Sequence, residues 1–324
     1  MRIFIASMVA LALTGCGGGA TPALLGADST ARSQAARPNA GMRIYTANRN
    51  TGSVIAFAAN VSGNVSPVVT IAGSSTTLTN PDSIALDAAG NIYTANDSGT
   101  TVAVFSPHAN GNVAPKRTIG GSKSHLGPTE GLLIDPSGNL WVTDFRDNAI
   151  TEYAAGAHGN VTPIDTISGS DTQLDTPTGM AMDSSGRLFV ANPYGPYAGS
   201  IVAFASGASG DATPVVSISG SNTGLSRPYA LSFDSTGRLL VADEDNGVLI
   251  FASGANGNVA PVATISGMSM VDGIATDAQD HVYAAGYLGP INEYHSNAHG
   301  NATPIRSIAG SNTTINGAAH LVVR

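Results

Sequence analysis

The sequence predicts an all-β fold made of six four-stranded repeats, and three observations lead to this prediction. First, Gly-Asn or Gly-Asp recurs every 43 to 51 residues along the chain. Second, each interval carries short β-branched and aromatic runs bounded by Gly, Pro, Asn and Asp, which is typical of strands. Third, the chain begins and ends in the middle of a repeat. Repeats of this length with four short strands are typical of propeller blades, so the predicted architecture is a closed six-bladed β-propeller. The Gly-Asn or Gly-Asp pairs begin at Gly63, Gly111, Gly159, Gly210, Gly257 and Gly300.

The repeat that begins at Pro67 shows how the strands are assigned. Residues 67–72 form the predicted outer strand, and residues 83–87 form the innermost strand of the next blade. Residues 92–95 and 102–105 are the predicted second and third strands. Each run is short, apolar and rich in β-branched or aromatic residues, as a half-buried strand requires.

An aspartate opens the turn after each complete innermost strand. Asp87 is followed by Gly90, and three further repeats carry the same Asp and Gly spacing. An Asp that bonds its own backbone, with Gly in the left-handed conformation, is typical of hairpin turns. These aspartates are therefore predicted to be structural, although Asp280 replaces the Gly in the last complete repeat. The aspartates are Asp87, Asp135, Asp183, Asp234 and Asp277.

The two ends of the repeat region are predicted to share one blade. Residues 42–47 and 54–57 match the second and third strands, while residues 304–309 match an outer strand. Residues 321–323 fall where an innermost strand belongs. The last strand is therefore expected to complete the blade that begins at Met42. This three-plus-one clasp would close the ring and leave no open sheet edge.

The repeat core, with its IYTAN and LFVAN pieces, resembles known propeller families. It resembles NHL-type and YVTN-type repeats over nearly all of residues 42–324, and at the level of fold it is similar to the gluconolactonase and regucalcin group. The resemblance implies the six-bladed fold. It implies little about chemistry, because propellers carry many unrelated functions.

The first residues predict export and a lipid anchor. Residues 1–15 have a positive start, an apolar stretch of eleven residues and a Leu-Thr-Gly sequence before Cys16. The stretch is too short to span a bilayer and suits a signal peptide. It resembles bacterial lipoprotein signals, which implies cleavage before Cys16 and acylation of its sulfur; an ordinary secretory signal is the alternative. Residues 16–41 are predicted to be a lipid-bearing, flexible tether, and residues 42–324 the propeller.

This resemblance also implies a place in the cell. The chain would be held at the cell envelope by its lipid, with Gly17 favouring the outer membrane if the host is Gram-negative. Cys16 is the only cysteine, so an internal disulfide is excluded. The net charge is −8 with only two lysines, so nucleic acid is not an expected partner, and a monomer is expected.

One register position before the innermost strand varies among the repeats, as the residues of a functional rim do. It places carboxylates at Asp82, Glu130 and Asp272, with Asp144 expected nearby. Oxygen ligands of this kind suit Ca²⁺ or Mg²⁺, so the sequence predicts a candidate metal site at the mouth of the central channel. The alternative is a set of solvated carboxylates. The slot holds Asp82, Glu130, Thr178, Tyr229, Asp272 and Ala319.

A second candidate is an aromatic rim on the fourth to sixth blades. Tyrosines offer a flat apolar face and a hydroxyl, which suits glycans, peptides or aromatic small molecules. The alternative is that Tyr194 and Tyr197 pack their own loop, which is three residues longer than its equivalents. The candidate rim residues are Tyr194, Tyr197, Tyr229, Tyr287, Arg49, Arg146 and His320.

Two functions follow from these patterns. The first is a lipid-anchored binding or scaffold propeller outside the cytoplasm, with a glycan, a peptide or an envelope protein as ligand. The second is a metal-dependent hydrolase or lactonase, in which a cation between Asp82, Glu130 and Asp272 polarises a carbonyl or activates water. The sequence contains no G-x-S-x-G, Walker or H-E-x-x-H motif.

Overall fold

The computed structural model of the chain describes residues 41–97 and 99–324. The predicted signal peptide, Cys16 and the tether up to residue 40 lie outside the described residues. Within the described residues, no helix has the length and apolar character needed to cross a membrane.

The described residues form 24 strands in six four-stranded sheets, with three short 3-10 turns between them. The first three blades contain β1 (Arg43–Asn48), β2 (Ser53–Ala58), β3 (Val69–Ala72), β4 (Pro81–Leu86), β5 (Ile92–Asn96), β6 (Thr101–Phe105), β7 (Arg117–Gly120), β8 (Leu132–Ile134), β9 (Leu140–Asp144), β10 (Ala149–Tyr153) and β11 (Asp165–Ser168). The others contain β12 (Met180–Met182), β13 (Leu188–Asn192), β14 (Ser200–Phe204), β15 (Val216–Ile218), β16 (Pro228–Phe233), β17 (Leu239–Asp243), β18 (Gly247–Phe251), β19 (Ala263–Ile265), β20 (Val271–Thr276), β21 (Val282–Gly286), β22 (Ile291–Tyr294), β23 (Arg306–Ile308) and β24 (Ala318–Val323).

The sheet order confirms the six blades and the clasp. The first blade has the order β24-β1-β2-β3, and the other five are built from consecutive strands. β24 pairs antiparallel with β1, with Tyr45 opposite Val322. The backbones of Arg43 and Arg324 also exchange hydrogen bonds of 2.6 and 2.9 Å. The ring therefore closes through the innermost strand of its first blade.

The hydrophobic core consists of layers between neighbouring blades. Alternate residues of each strand point to opposite faces of its sheet, so each blade contributes to two layers. In one layer Ile44 and Phe57 of the first blade pack with Tyr283 and Ile291 of the sixth. Burying a side chain of this size contributes about 1.5 to 3 kcal/mol. The blades are thus held to each other mainly by apolar burial.

The recurring Gly-Asn pair joins consecutive blades. Gly111 N–H donates to Thr70 C=O at 2.6 Å, beside an isolated parallel bridge between Gly111 and Ile71. Asn112 Oδ1 accepts the Ser75 N–H at 2.7 Å. The pair therefore covers the outer edge of the preceding blade, and an equivalent bridge occurs at all six junctions. We call these contacts blade staples.

The turn aspartates bond their own hairpins as predicted. Asp87 Oδ1 accepts the N–H groups of Ala89 and Asn91 at 3.0 and 2.9 Å. In the last complete repeat Asp280 adopts the left-handed conformation in place of Gly, with φ of 60°. Its carboxylate also accepts the Ser235 N–H of the neighbouring blade at 2.8 Å. These turns lie at the end of the channel opposite the candidate site.

Candidate ligand-binding site at the channel mouth

A cavity of about 340 Å³ runs between the innermost strands. His320 lines the cavity near the end of the channel where the innermost strands begin. We call this end, with the residues that enter the innermost strands and the loops between second and third strands, the channel mouth. β-Bulges at Asp82, Tyr229 and Asp272 interrupt the pairing of β4, β16 and β20 there. A bulge leaves one residue unpaired and redirects its side chain. The variable slot of the sequence is therefore a row of bulged or strand-entering residues.

In the first blade, the variable slot predicts Ala319 at the bulge, but the structure places a different residue there. Ala319 pairs with Ala47, and the register shifts before Leu321 pairs with Thr46. The unpaired residue is therefore His320, which has a left-handed φ of 49°. Its Nδ1 lies 3.0 Å from the Asp82 carbonyl oxygen. A Cβ built on Gly179, in the fourth blade, would lie 3.2 Å from His320 Nε2, so the buried imidazole reaches across the channel.

Three carboxylates come together at the mouth. Oxygens of Asp82, Asp97 and Glu130 lie within 4.8 Å of one another. Arg49 is inserted beside them, with Nη1 at 3.3 Å from Asp82 Oδ1 and Nη2 in contact with Asp97 Oδ2. The Tyr229 hydroxyl donates to Glu130 Oε2 at 3.0 Å. The group is thus a mixed network of acids, one guanidinium and one phenol.

Burial and mutual repulsion raise the pKa values of these acids. Desolvation, followed by the charge of Glu130, raises the pKa of Asp82 to about 8, although Arg49 opposes the shift. Desolvation raises the pKa of Glu130 to about 7. Desolvation and the neighbouring Glu244 and Asp82 carboxylates raise the pKa of Asp272 to about 8. Burial lowers the pKa of His320 to about 4, so its ring is neutral at neutral pH.

Asp272 and Asp144 lie outside this group of three carboxylates. Asp272 is close enough to Asp82 and Glu130 for their charges to raise its pKa. Asp144 instead bonds its own loop, where its Oδ1 accepts the N–H groups of Arg146 and Asp147, both at 3.0 Å. Its Oδ2 lies where a Cβ on Gly127 would be. Asp144, which was expected near the metal site, therefore stabilises its own loop.

The four tyrosines occupy different environments. Tyr194 and Tyr197 are 41 % and 44 % exposed, so they do not fill the interior of their loop. That loop is held by Asp175, whose Oδ2 accepts the Tyr197 N–H at 3.2 Å. Tyr229 is buried, and Tyr287 is half-buried with its hydroxyl donating to Asn50 Oδ1 at 3.0 Å. Two of the four thus present their rings to solvent.

A second charged group links Tyr194 to the mouth. Arg227 pairs with Glu244 and with Asp245, its Nη2 lying 2.6 Å from Asp245 Oδ1. The Tyr194 hydroxyl lies close enough to the Arg227 guanidinium for the two groups to shift each other's pKa. Glu244 in turn raises the pKa of Asp272. The polar network is therefore continuous from the exposed tyrosine to the buried acids.

Sequence reasoning missed several of these residues. Asp97 belongs to the group of three carboxylates, although the residue that recurs among the repeats at the end of the second strand is its neighbour Asn96. Arg227 pairs with Glu244 and lies before its innermost strand, outside the variable slot. The signal for both was their position at the predicted rim, since Asp97 directly follows β5 and Arg227 directly precedes β16. Arg146, predicted for the rim, is exposed and forms no ion pair within the described residues.

The comparisons with known proteins identify the fold. No family model matches the chain, and no curated protein matches it. Among solved structures, a Bacteroides caccae protein of unknown function is 12% identical with a TM-score of 0.63, over 87% of this chain and 98% of the other. A chain of a nidogen/laminin complex is 13% identical with a TM-score of 0.60, over 87% of this chain and 98% of the other. Virginiamycin B lyase from Staphylococcus aureus is 15% identical with a TM-score of 0.52, over 72% of this chain and 71% of the other. At these identities the likeness establishes a distant β-propeller relationship and the fold alone.

Proposed function

We propose that this chain is an exported, lipid-anchored propeller that binds a ligand at the channel mouth and acts as a binding or scaffold module of the cell envelope. The observation that carries the proposal is the half-exposed pair Tyr194 and Tyr197 beside a buried polar network. Exposed aromatic rings next to polar groups are typical of recognition surfaces. The lipid anchor is supported by the signal-like sequence before Cys16.

The network behind the tyrosines favours binding over catalysis. Arg49 and Arg227 are each paired with two carboxylates, and Glu130 accepts a hydrogen bond from Tyr229. Groups held in this way form a rigid, pre-organised floor. One of the structurally similar chains belongs to a nidogen/laminin complex, which supports a protein or peptide partner as one form of ligand.

Replacing the exposed tyrosines tests this function. Tyr194→Ala with Tyr197→Ala is expected to weaken capture of glycans, peptides or envelope proteins by at least tenfold, because it removes both aromatic faces. Binding would be measured on arrays and by titration calorimetry of the selected ligands. Tyr45→Phe, far from the mouth in β1, is the control and should bind as the unaltered protein does. Equal capture by the double variant and the control would exclude the aromatic rim as the site.

A second candidate is a metal-dependent hydrolase, favoured by the three carboxylates within 4.8 Å. Asp82, Asp97 and Glu130 would hold Ca²⁺ or Mg²⁺, which would polarise a substrate carbonyl or activate water. The donor set fits a hard cation. However, Arg49 already neutralises Asp82 and Asp97, so the ion would have to displace its guanidinium.

A thermal melt tests the metal site. After treatment with chelator, the melting temperature of the domain is compared with and without millimolar Ca²⁺ or Mg²⁺. A site filled at 100 times its Kd stabilises by about 2.7 kcal/mol, which raises Tm by several degrees. The shift should disappear in Asp97→Asn and persist in Asp147→Asn, which removes an exposed loop charge that does not belong to the group of three carboxylates. Unchanged melting with both ions would remove the hydrolase candidate.

A further inference from the structure

The channel mouth contains more acids than bases. Within the described residues, five buried or half-buried carboxyl groups of the mouth share two paired guanidinium groups, those of Arg49 and Arg227. Arg227 also pairs with the exposed Asp245, and the exposed Arg146 forms no ion pair in the part of the chain that the structure describes. His320 adds no charge at neutral pH. Neither guanidinium is available to an incoming anion, because each is already paired with two carboxylates. The carboxyl groups belong to Asp82, Asp97, Glu130, Glu244 and Asp272.

Two of these acids are buried without adequate partners. Asp272 is 5 % exposed, and its Oδ1 has no hydrogen-bond donor. Within the described residues Asp272 also forms no ion pair. Asp82 is 1 % exposed, and neither of its oxygens accepts a hydrogen bond, although Arg49 lies 3.3 Å away. A buried polar group without a partner costs free energy that a ligand can recover by supplying one.

His320 also has a buried polar atom without a hydrogen-bond partner. A carbonyl oxygen only accepts hydrogen bonds, so the 3.0 Å contact with the Asp82 carbonyl requires that His320 Nδ1 carries the proton. In the neutral ring Nε2 is then an acceptor, and it is buried without a partner. When Asp82 and Asp272 are ionised, their unsatisfied oxygens and His320 Nε2 are all acceptors. A bound cation would supply the missing donors and would lower the raised pKa values of the two acids, so that the ionised forms bind it.

The exposed apolar side chains lie along one side of this acidic mouth. Tyr194 lies close enough to Arg227 for the two groups to shift each other's pKa, and Arg227 pairs with Glu244. The Glu244 carbonyl accepts the Met270 N–H at 2.8 Å, and the Met270 carbonyl accepts the Tyr287 N–H at 2.8 Å. These contacts join the fourth, fifth and sixth blades into one surface. Tyr194, Tyr197, Met270 and Leu288 are its exposed large apolar residues.

We propose, on the basis of the binding function proposed above, that the ligand of the channel mouth is an organic cation, with an ammonium or guanidinium head directed at Asp82 and Asp272 and an apolar body on Tyr194 and Met270. An ammonium group supplies the N–H donors and the positive charge that the buried acceptors lack. A tyrosine face also attracts a cation within about 6 Å of the ring. The head group can belong to a free amine or to a lysine or arginine side chain of a peptide.

Three probes that share a phenyl ring test this inference. Benzylammonium, benzyl alcohol and benzoate differ in the charge of the head group and present the same ring to the tyrosines. Each is titrated by NMR into the propeller, prepared as residues 41–324, which contain all six blades and the strands that close the ring. Chelator is present throughout, so that a bound metal ion does not contribute. Benzylammonium is expected to bind about tenfold more tightly than benzyl alcohol, and benzoate more weakly than both.

Two variants test which carboxylate causes the preference for the cationic probe. Asp272→Asn should reduce the preference for benzylammonium over benzyl alcohol to within about threefold, whereas Asp147→Asn, an exposed loop charge, should preserve it. A parallel titration of acetyl-Phe-Lys-amide and acetyl-Phe-Gln-amide distinguishes the source of the cation. Tighter binding of the lysine peptide than of benzylammonium indicates a peptide ligand, and the reverse order indicates a free amine.

The other outcomes separate this inference from the proposed function. If benzyl alcohol or benzoate binds as tightly as benzylammonium, and Tyr194→Ala abolishes that binding, the rim is a ligand site and the cationic head group is wrong. If no probe binds in a way that depends on Tyr194, both the cation and the rim are excluded. If Asp272→Asn does not fold, the ranking of the three probes with the unaltered protein decides alone.

Discussion

Gly179→Ala is expected to destabilise the propeller by about 3 kcal/mol, because a side chain at this position meets the backbone of the next blade. The added Cβ would lie 2.4 Å from the Tyr229 carbonyl oxygen and 2.7 Å from the Ala230 Cα. Gly179 N–H also donates to that carbonyl at 2.8 Å, so the strands cannot separate without losing the bond. A loss of this size lowers Tm by about 6 to 12 °C in a domain of this length.

Ser83→Ala is the matched control, since Ser83 occupies the same register position in the second blade. Its Oγ is buried without a hydrogen-bond partner, so removing it should change stability by less than about 0.5 kcal/mol. Chemical denaturation followed by circular dichroism measures both variants. Similar midpoints for Gly179→Ala and the unaltered protein would show that the innermost strands can move apart freely.

The stability of the propeller is expected to fall as the pH rises from about 6.5 to about 8. Asp82 and Asp272 have pKa values of about 8 in the folded protein, against 3.8 in the unfolded chain. Between these pKa values the folded state holds protons that the unfolded state has released. The resulting contribution to the free energy of unfolding is complete below pH about 4 and is lost as the pH rises through about 8. Between its unfolded and folded pKa values, each such carboxyl lowers the free energy of unfolding by about 1.4 kcal/mol for every pH unit of increase. Glu130 adds to the slope up to its pKa of about 7.

His320 acts in the opposite direction at lower pH. Its pKa is lowered from 6.5 to about 4, so its contribution is complete above pH 6.5 and lost as the pH falls towards 4. Between pH 6.5 and 8 the carboxyls therefore dominate. Melting curves across that range should show a smaller slope for Asp272→Asn than for the unaltered protein, whereas Asp147→Asn should match the latter. Equal slopes for all three proteins would mean that Asp272 titrates normally.

The repeat pattern was sufficient to predict the architecture because it records local requirements. The Asp and Gly hairpins, the apolar runs and the split blade all follow from residues whose roles depend on the backbone near them. The clasp between β1 and β24 was predicted because residues 42–47 match a second strand and residues 321–323 fall where an innermost strand belongs. Strand ends differ by one to three residues, as at β24, which begins at Ala318 instead of Leu321.

The channel mouth was less predictable because it depends on bulges and side-chain directions. Alignment assigns Ala319 to the variable slot, but the register shift places His320 in the channel. Asp97, not Asp272, completes the group of three carboxylates, since a loop residue one position beyond the strand turns inward to Arg49. Tyr229 was expected on the rim and is buried against Glu130. A repeat pattern carries no information about these choices.

The clasp also has a consequence for the order of folding. Five of the six blade staples join segments that are close in the chain, such as Ile71 and Gly111, so neighbouring blades can associate as soon as both are available. The pairing of Ile44 with Val323 and the sixth staple, between Gly63 and Ile308, instead join nearly opposite ends of the described chain. Closing the ring is thus the single loop closure with the largest entropy cost. Until β24 arrives, β1 presents an unpaired edge, and the first blade is the part of the ring most open to pairing with another chain.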